Sequence, residues 1–290
     1  MTTHDSDGTP IDTWVIEPGS RRGLVEYARE LWRYRRAAAF FWSRSVKLLY
    51  AGTQLGWPWL LIRPLAPLAI GALVYGGVMG IPSLTVPYFL FFLSGSIVWS
   101  IFEGSLQFAT RGLERNRHLV KKLYLPRAIL PPATTGAGLV EPLVLLGVLA
   151  GALGYYRVAD ARWYVGERTS VPLLVLTPVL AWLLAVALGF WTSLWQARAR
   201  DARYVLAWVV AFWGYLTPVI YPLDIVPLGW RPLMFLNPMT ALVEAWRAAT
   251  IGAGVISVPG LLWSAVSTIV LLAFSLRHFT AAEGSAADRL

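Results

Sequence analysis

The chain has 290 residues, 57% hydrophobic and only 14% charged, with 15 Trp and a mean hydropathy of +0.56. A soluble domain carries about a quarter charged residues, so this composition excludes an ordinary soluble fold and indicates an integral membrane protein. The net charge of +9 admits a nucleic-acid partner until the cations are placed, while zero Cys and three scattered His (His4, His118, His278) exclude disulfides, a Cys nucleophile and a zinc centre.

Residues 1–20 are polar, with four acids, and read as a disordered cytoplasmic tail. From Arg21 the stretch RRGLVEYARELWRYRRAAAFFW places Leu24, Tyr27, Leu31 and Tyr34 at steps of three and four, with Arg29, Arg33, Arg35 and Arg36 between them. That pattern predicts an amphipathic basic helix lying on an anionic membrane surface. The first 56 residues hold no apolar run long enough for a signal peptide.

A helix needs about 20 apolar residues to cross a hydrocarbon core of about 30 Å. Six segments qualify: 57–79, 87–110, 128–156, 172–195, 204–222 and 258–276. A further apolar stretch, 228–252, is broken by Pro232, Pro238 and Gly252 and carries Glu244 and Arg247, so it reads as a re-entrant hairpin. Residues 281–290 read as a second cytoplasmic tail. The expected fold is an all-α membrane protein with one transmembrane domain over 21–280. With both termini cytoplasmic, 20 of the 25 Lys and Arg fall inside and five (Arg157, Arg162, Arg168, Arg231, Arg247) outside. The membrane then explains the positive charge, and nucleic acid is removed as a partner.

Between spans two and three stands NRHLVKKLYLPR, residues 116–127, in which Leu119, Val120, Leu123, Tyr124 and Leu125 interleave with basic residues. A short helix of this kind lies in the interface or presses into a groove on a soluble partner, and Pro126 ends it. A positive loop with incidental leucines is the plainer reading. The loop RARDAR at 198–203 supplies an anchor of cations and an N-cap candidate in Asp201. Span four carries Trp182, Trp191 and Trp195, and span five carries Tyr204, Trp208, Phe212 and Tyr215 at steps of four, four and three. Such a stripe reads as helix packing, and Trp at span ends as an interfacial belt, but Trp208 and Phe212 fall within the hydrocarbon region. Glu103 and Glu141 lie inside spans, where ionisable groups are costly; they line a watery path or bridge helices. Arg63 near the start of span one either snorkels or meets an anionic ligand.

The segments NRHLVKKLYLPRAILPPA (116–133), ARARDARYVLAWVVAFWGYLTPVIYP (197–222) and RPLMFLNPMTALVEAWR (231–247) resemble membrane subunits of ABC type-2 transporters. The likeness is to the branch that exports lipid-linked polysaccharides such as O-antigen and teichoic acid, and it covers roughly residues 20–280. It implies a non-enzymatic subunit in a bacterial inner membrane, working as a homodimer with two copies of an ATP-binding subunit. No G-x-x-x-x-G-K-[ST] occurs, so ATP and Mg belong to that partner and this chain needs no cofactor. The resemblance implies that Asn116, Arg117, Leu119, Lys121, Lys122 and Tyr124 form a coupling helix, with Arg200 and Asp201 as a second contact. It implies a channel lined by Trp191, Trp195, Tyr204, Trp208, Phe212, Tyr215, Glu103 and Glu141. Arg63, Arg44 and Lys47 would meet the lipid pyrophosphate, and Asn237, Glu244 and Arg247 would narrow the external exit. An exporter of a drug or lipid and a membrane-embedded glycosyltransferase are the alternatives; the second lacks a cluster of acids on a membrane-adjacent loop.

Overall fold

The computed structural model describes residues 29, 31–49, 51, 54, 56, 58–81, 85–122, 126–166, 170–199 and 201–287, apart from the side chains of 120–122 and 283–287. In chain order the helices are α1 (Arg35–Lys47), α2 (Trp59–Gly71), which runs on as a π-turn over Ala72–Val78, and α3 (Tyr88–Arg115). Then come α4 (Arg117–Lys122), α5 (Leu130–Thr134), α6 (Val140–Ala159), α7 (Val171–Arg198) and α8 (Ala202–Leu216). The chain ends with α9 (Arg231–Met234), α10 (Pro238–Ile251) and α11 (Val258–Ala287). No strand occurs among the described residues.

The bundle is built around α3. Its buried residues include Leu90, Phe91, Leu93, Ile97, Val98, Phe102 and Leu106, which fall on more than one side of the helix. A helix apolar on most faces belongs in the middle of a bundle, and α6, α7 and α10 pack around it. Lipid offers no hydrophobic drive between helices, so close backbone approach and hydroxyl bonds hold them. Thr110 and Thr192 join α3 to α7 through their hydroxyls at 2.6 Å. At Gly104 an added Cβ would sit 2.6 Å from the Gly138 carbonyl oxygen, so the pair of glycines permits the contact between α3 and the turn before α6.

Among the described residues five helical segments are long and apolar enough to cross a membrane: Trp59–Val78, Tyr88–Arg115, Arg127–Ala159, Val171–Arg198 and Val258–Ala282. The third is not a single helix. Pro131, Pro132, Gly136 and Gly138 break it into α5, 3-10 turns and α6. The expected fifth span, 204–222, differs: α8 has 15 residues, about 22 Å at 1.5 Å per residue. It ends at Leu216 because Pro218 and Pro222 follow, and residues 217–222 continue as turns and bends. The last helix overruns its expected end at 276 and continues to Ala287, into the expected 281–290 tail.

The amphipathic helix expected over 21–42 is described only in part. Helix α1 runs from Arg35 to Lys47, while residues 1–20 and 21–28 fall outside the described residues. One side of α1 meets protein, while Phe40, Trp42 and Val46 stay exposed. Phe41 is buried with Leu113, Ile129, Leu130, Phe190 and Phe279, and Leu31 and Tyr34 pack on the same cluster. Ser45 closes the contact by accepting a hydrogen bond from the Ala137 N–H at 3.2 Å.

Candidate functional site

An aromatic ledge runs along α7 and α8. Only Ala202, Leu206 and Val210 of α8 are buried, at steps of four, so one narrow stripe holds the helix to the bundle. Trp191, Trp195, Tyr204, Trp208, Phe212 and Tyr215 are each 45–67% exposed. The Trp208 and Phe212 rings stack with centroids 6.0 Å apart. Beside them an apolar cavity of about 480 Å³ opens between α7 and α8, lined in part by Trp191, Trp195, Val209 and Trp213. Trp182, from the same sequence run, is half-buried instead and donates to the Thr135 hydroxyl at 2.9 Å.

A second, polar cavity of about 340 Å³ lies between α2, α3, α6 and α8. Arg63, Glu103, Glu141, Trp99, Ser96 and Tyr215 line it. Both carboxylates lie near mid-span: Glu103 is 15 residues after Tyr88 and 12 before Arg115, about 22 and 18 Å along the helix. The Trp99 indole N–H donates to Glu103 at 2.9 Å and the Gln107 amide at 3.1 Å, so both carboxylate oxygens have a partner on their own helix. Glu141 has no hydrogen bond among the described residues. The Arg63 guanidinium is exposed, and its charge acts on both carboxylates. Arg44 and Lys47 do not line this cavity. Two carboxylates beside Arg63 make a poor setting for a pyrophosphate dianion.

Beyond Leu216 a buried polar clamp takes over. Non-helical backbone at membrane depth is tolerated only where its polar groups are satisfied, and here side chains satisfy them. Arg247, fully buried, donates to the carbonyls of Pro218 at 2.8 Å and Val219 at 3.1 Å. It pairs with Glu244 at 2.5 Å and lies 3.8 Å over the Phe91 ring. The other Glu244 oxygen accepts from the Val255 N–H at 3.0 Å. The Tyr88 hydroxyl donates to the Ile220 carbonyl at 2.6 Å. Asn237 accepts from the Trp213 indole at 2.9 Å and from the Met239 N–H at 3.0 Å, capping α10, and its amide donates to Thr217 at 2.9 Å. Gly95 makes room for this arrangement, since a Cβ there would collide with the Arg247 guanidinium. Asn237, Glu244 and Arg247 are thus drawn together, and Glu244 and Arg247 present no exposed surface.

The basic loop is described only in part. Asn116 is buried and its amide donates to the Gly112 carbonyl at 2.9 Å, closing the end of α3. Leu119 packs on the cluster around Phe41, while Arg117 and His118 are exposed. Tyr124 and Arg200, and the side chains of Lys121 and Lys122, lie outside the described residues. Asp201 stands at the N-cap of α8, but its side chain makes no capping bond, contrary to the expected role; its carbonyl accepts from Tyr204 and Val205 instead. Sequence reasoning missed Tyr88, Phe91, Trp213 and Thr217. The signal for them was the Pro218–Pro222 pair, which leaves backbone carbonyls to be satisfied by side chains.

The family description that matches this chain, over residues 37–251, is ABC-2 type transporter. An O-antigen export system permease protein, RfbA, from Myxococcus xanthus is 27% identical over 230 residues, covering 78% of this chain and 84% of that protein. An RfbA from Klebsiella pneumoniae is 24% identical, covering 71% and 76%. The polysialic acid transport protein KpsM from Escherichia coli is 25% identical over 239 residues, covering 80% and 85%.

Proposed function

Since the chain belongs to the ABC-2 type transporter family, we propose that it is the channel-forming subunit of an exporter of a lipid-linked polysaccharide, driven by ATP hydrolysis in a separate subunit. The observation that carries this reading is the aromatic ledge. Six large rings stand exposed on α7 and α8, with no element of the described residues covering them. Apolar C–H faces of sugar rings stack on such surfaces without being held by strong directed bonds. In a two-fold homodimer two ledges face each other and close a path. The relatives named for O-antigen export and polysialic acid transport support a polysaccharide as cargo.

On this reading α8 with the clamped turns after it is the fifth of six membrane crossings, and 228–252 is the external hairpin. Both termini face the cytoplasm of a bacterial inner membrane. Arg44 and Lys47, on α1, meet the lipid carrier's pyrophosphate. Two ATP-binding subunits, which hold ATP and Mg, dock on 116–125 and on Arg200 and Asp201. Lys121→Glu with Lys122→Glu leaves insertion intact, because many other cytoplasmic cations remain, and lowers both ATPase association and export. Retention of both sinks the coupling role.

The ledge itself is tested by Trp208→Leu with Phe212→Leu, which keeps apolar volume and removes flat rings. At about 0.5–1 kcal/mol per ring, by analogy with aromatic pairs, glycan export per folded dimer falls several-fold. An unchanged normalised rate returns these rings to packing and favours a lipid or drug as cargo, for which the apolar 480 Å³ cavity beside Trp191 is the available site.

A further inference from the structure

We infer that the cavity around Arg63, Glu103 and Glu141 is a water-filled binding site for the hydroxyl rim of an uncharged sugar ring. The inference rests on the glycan-export reading and narrows it to a second contact surface. Arg63 and Glu141 carry it. Among the described residues neither has a hydrogen bond or an ion pair, although both line one cavity between α2, α3, α6 and α8. A bare guanidinium and a bare carboxylate facing hydrocarbon are expensive, and they persist where water or a polar ligand meets them. The cavity's 340 Å³ falls in the range of small-molecule sites, about 300–1,000 Å³.

The chemistry of the lining selects the ligand. A pyranose ring has apolar C–H faces and a rim of hydroxyls. Carboxylate oxygens accept from such hydroxyls, and a guanidinium, with five N–H donors, donates to them. Tyr215 belongs both to the aromatic ledge and to this cavity, and Ala211 and Gly214 of the same helix also line it. A ring seated at Tyr215 therefore meets a stacking surface and a polar edge together. An acyl chain would leave Arg63 and Glu141 unpaired, and two carboxylates repel a phosphate group.

The chain has no cysteine, so single thiols report this site directly. Ser96, half-buried in the cavity lining, is replaced in the full-length chain in membrane vesicles as Ser96→Cys, with Ser100→Cys as the second position should the first variant fold poorly. The control is Val266→Cys, on an exposed apolar position of α11. A charged methanethiosulfonate reagent reacts at Ser96→Cys and not at Val266→Cys. Maltoheptaose at millimolar concentration slows the reaction several-fold, an apolar dye does not, and Glu141→Ala abolishes the protection while leaving the bare reaction. No reaction at either serine position means a dry cavity and overturns the inference. So does protection by the dye alone, or protection that survives Glu141→Ala. Glycan export measured on the unmodified chain is a separate readout: export without maltoheptaose protection removes this site and leaves the exporter reading standing.

Discussion

The ledge and the clamp both belong to one short stretch of chain, residues 202–222, yet they are held by opposite means. Along α8 a single stripe of three residues is buried and the aromatic rings stand exposed. From Thr217 onward the chain leaves the α-helix for turns, and Arg247, Tyr88 and Asn237 tie it to α3 and α10 with bonds of 2.6–3.1 Å. The apolar half is loosely determined and available to a partner or cargo. The irregular half is over-determined, because unsatisfied carbonyls at membrane depth cost several kcal/mol each.

The comparison breaks most severely at Arg247. Arg247→Met leaves Glu244 buried without its partner and strips the donors from Pro218 and Val219. Removing one member of a buried ion pair costs about 3–5 kcal/mol, so the yield of folded protein collapses. A melting midpoint near that of the native chain would show that the clamp does not hold this segment. Asn237→Ala should cost less, about 1–3 kcal/mol, since it strands the Trp213 indole and the Met239 N–H but no charge. Thermal unfolding in detergent checks it, and an unchanged midpoint would assign the cap of α10 to water. The smallest effect on stability belongs to the ledge. Trp208→Leu with Phe212→Leu should leave the melting midpoint nearly unmoved, because both rings are more than 60% exposed, while export per folded dimer falls. A large drop in midpoint would make the ledge a packing surface like the clamp.

Much of the site was legible one residue at a time. Tyr204, Trp208, Phe212 and Tyr215 recur at helical spacing, so their common face follows from the 3.6-residue turn, and the structure shows them exposed together. Glu244 and Arg247 stand three apart on α10, a spacing at which opposite charges pair, and they do pair. What could not be read was which distant segment each group would meet. Arg63 and Glu141 are 78 positions apart, and no local pattern relates them; α2 and α6 bring them to one cavity by packing. Arg247 reaches carbonyls 28 and 29 positions away.

By itself the sequence determined that the chain sits in a membrane, that its helices are helices, and where prolines and charges interrupt them. These follow from apolar area and backbone chemistry, which act locally. The fifth span was drawn from the same local rules and came out shorter, as the 15-residue α8. Helix α1 found a protein groove for Phe41, and the turns that follow α8's proline-set stop at Leu216 are held because side chains from α3 and α10 take over their backbone bonding. Only the tertiary structure decided those points, since a buried polar group is stable or ruinous according to the partner that packing brings within about 3 Å.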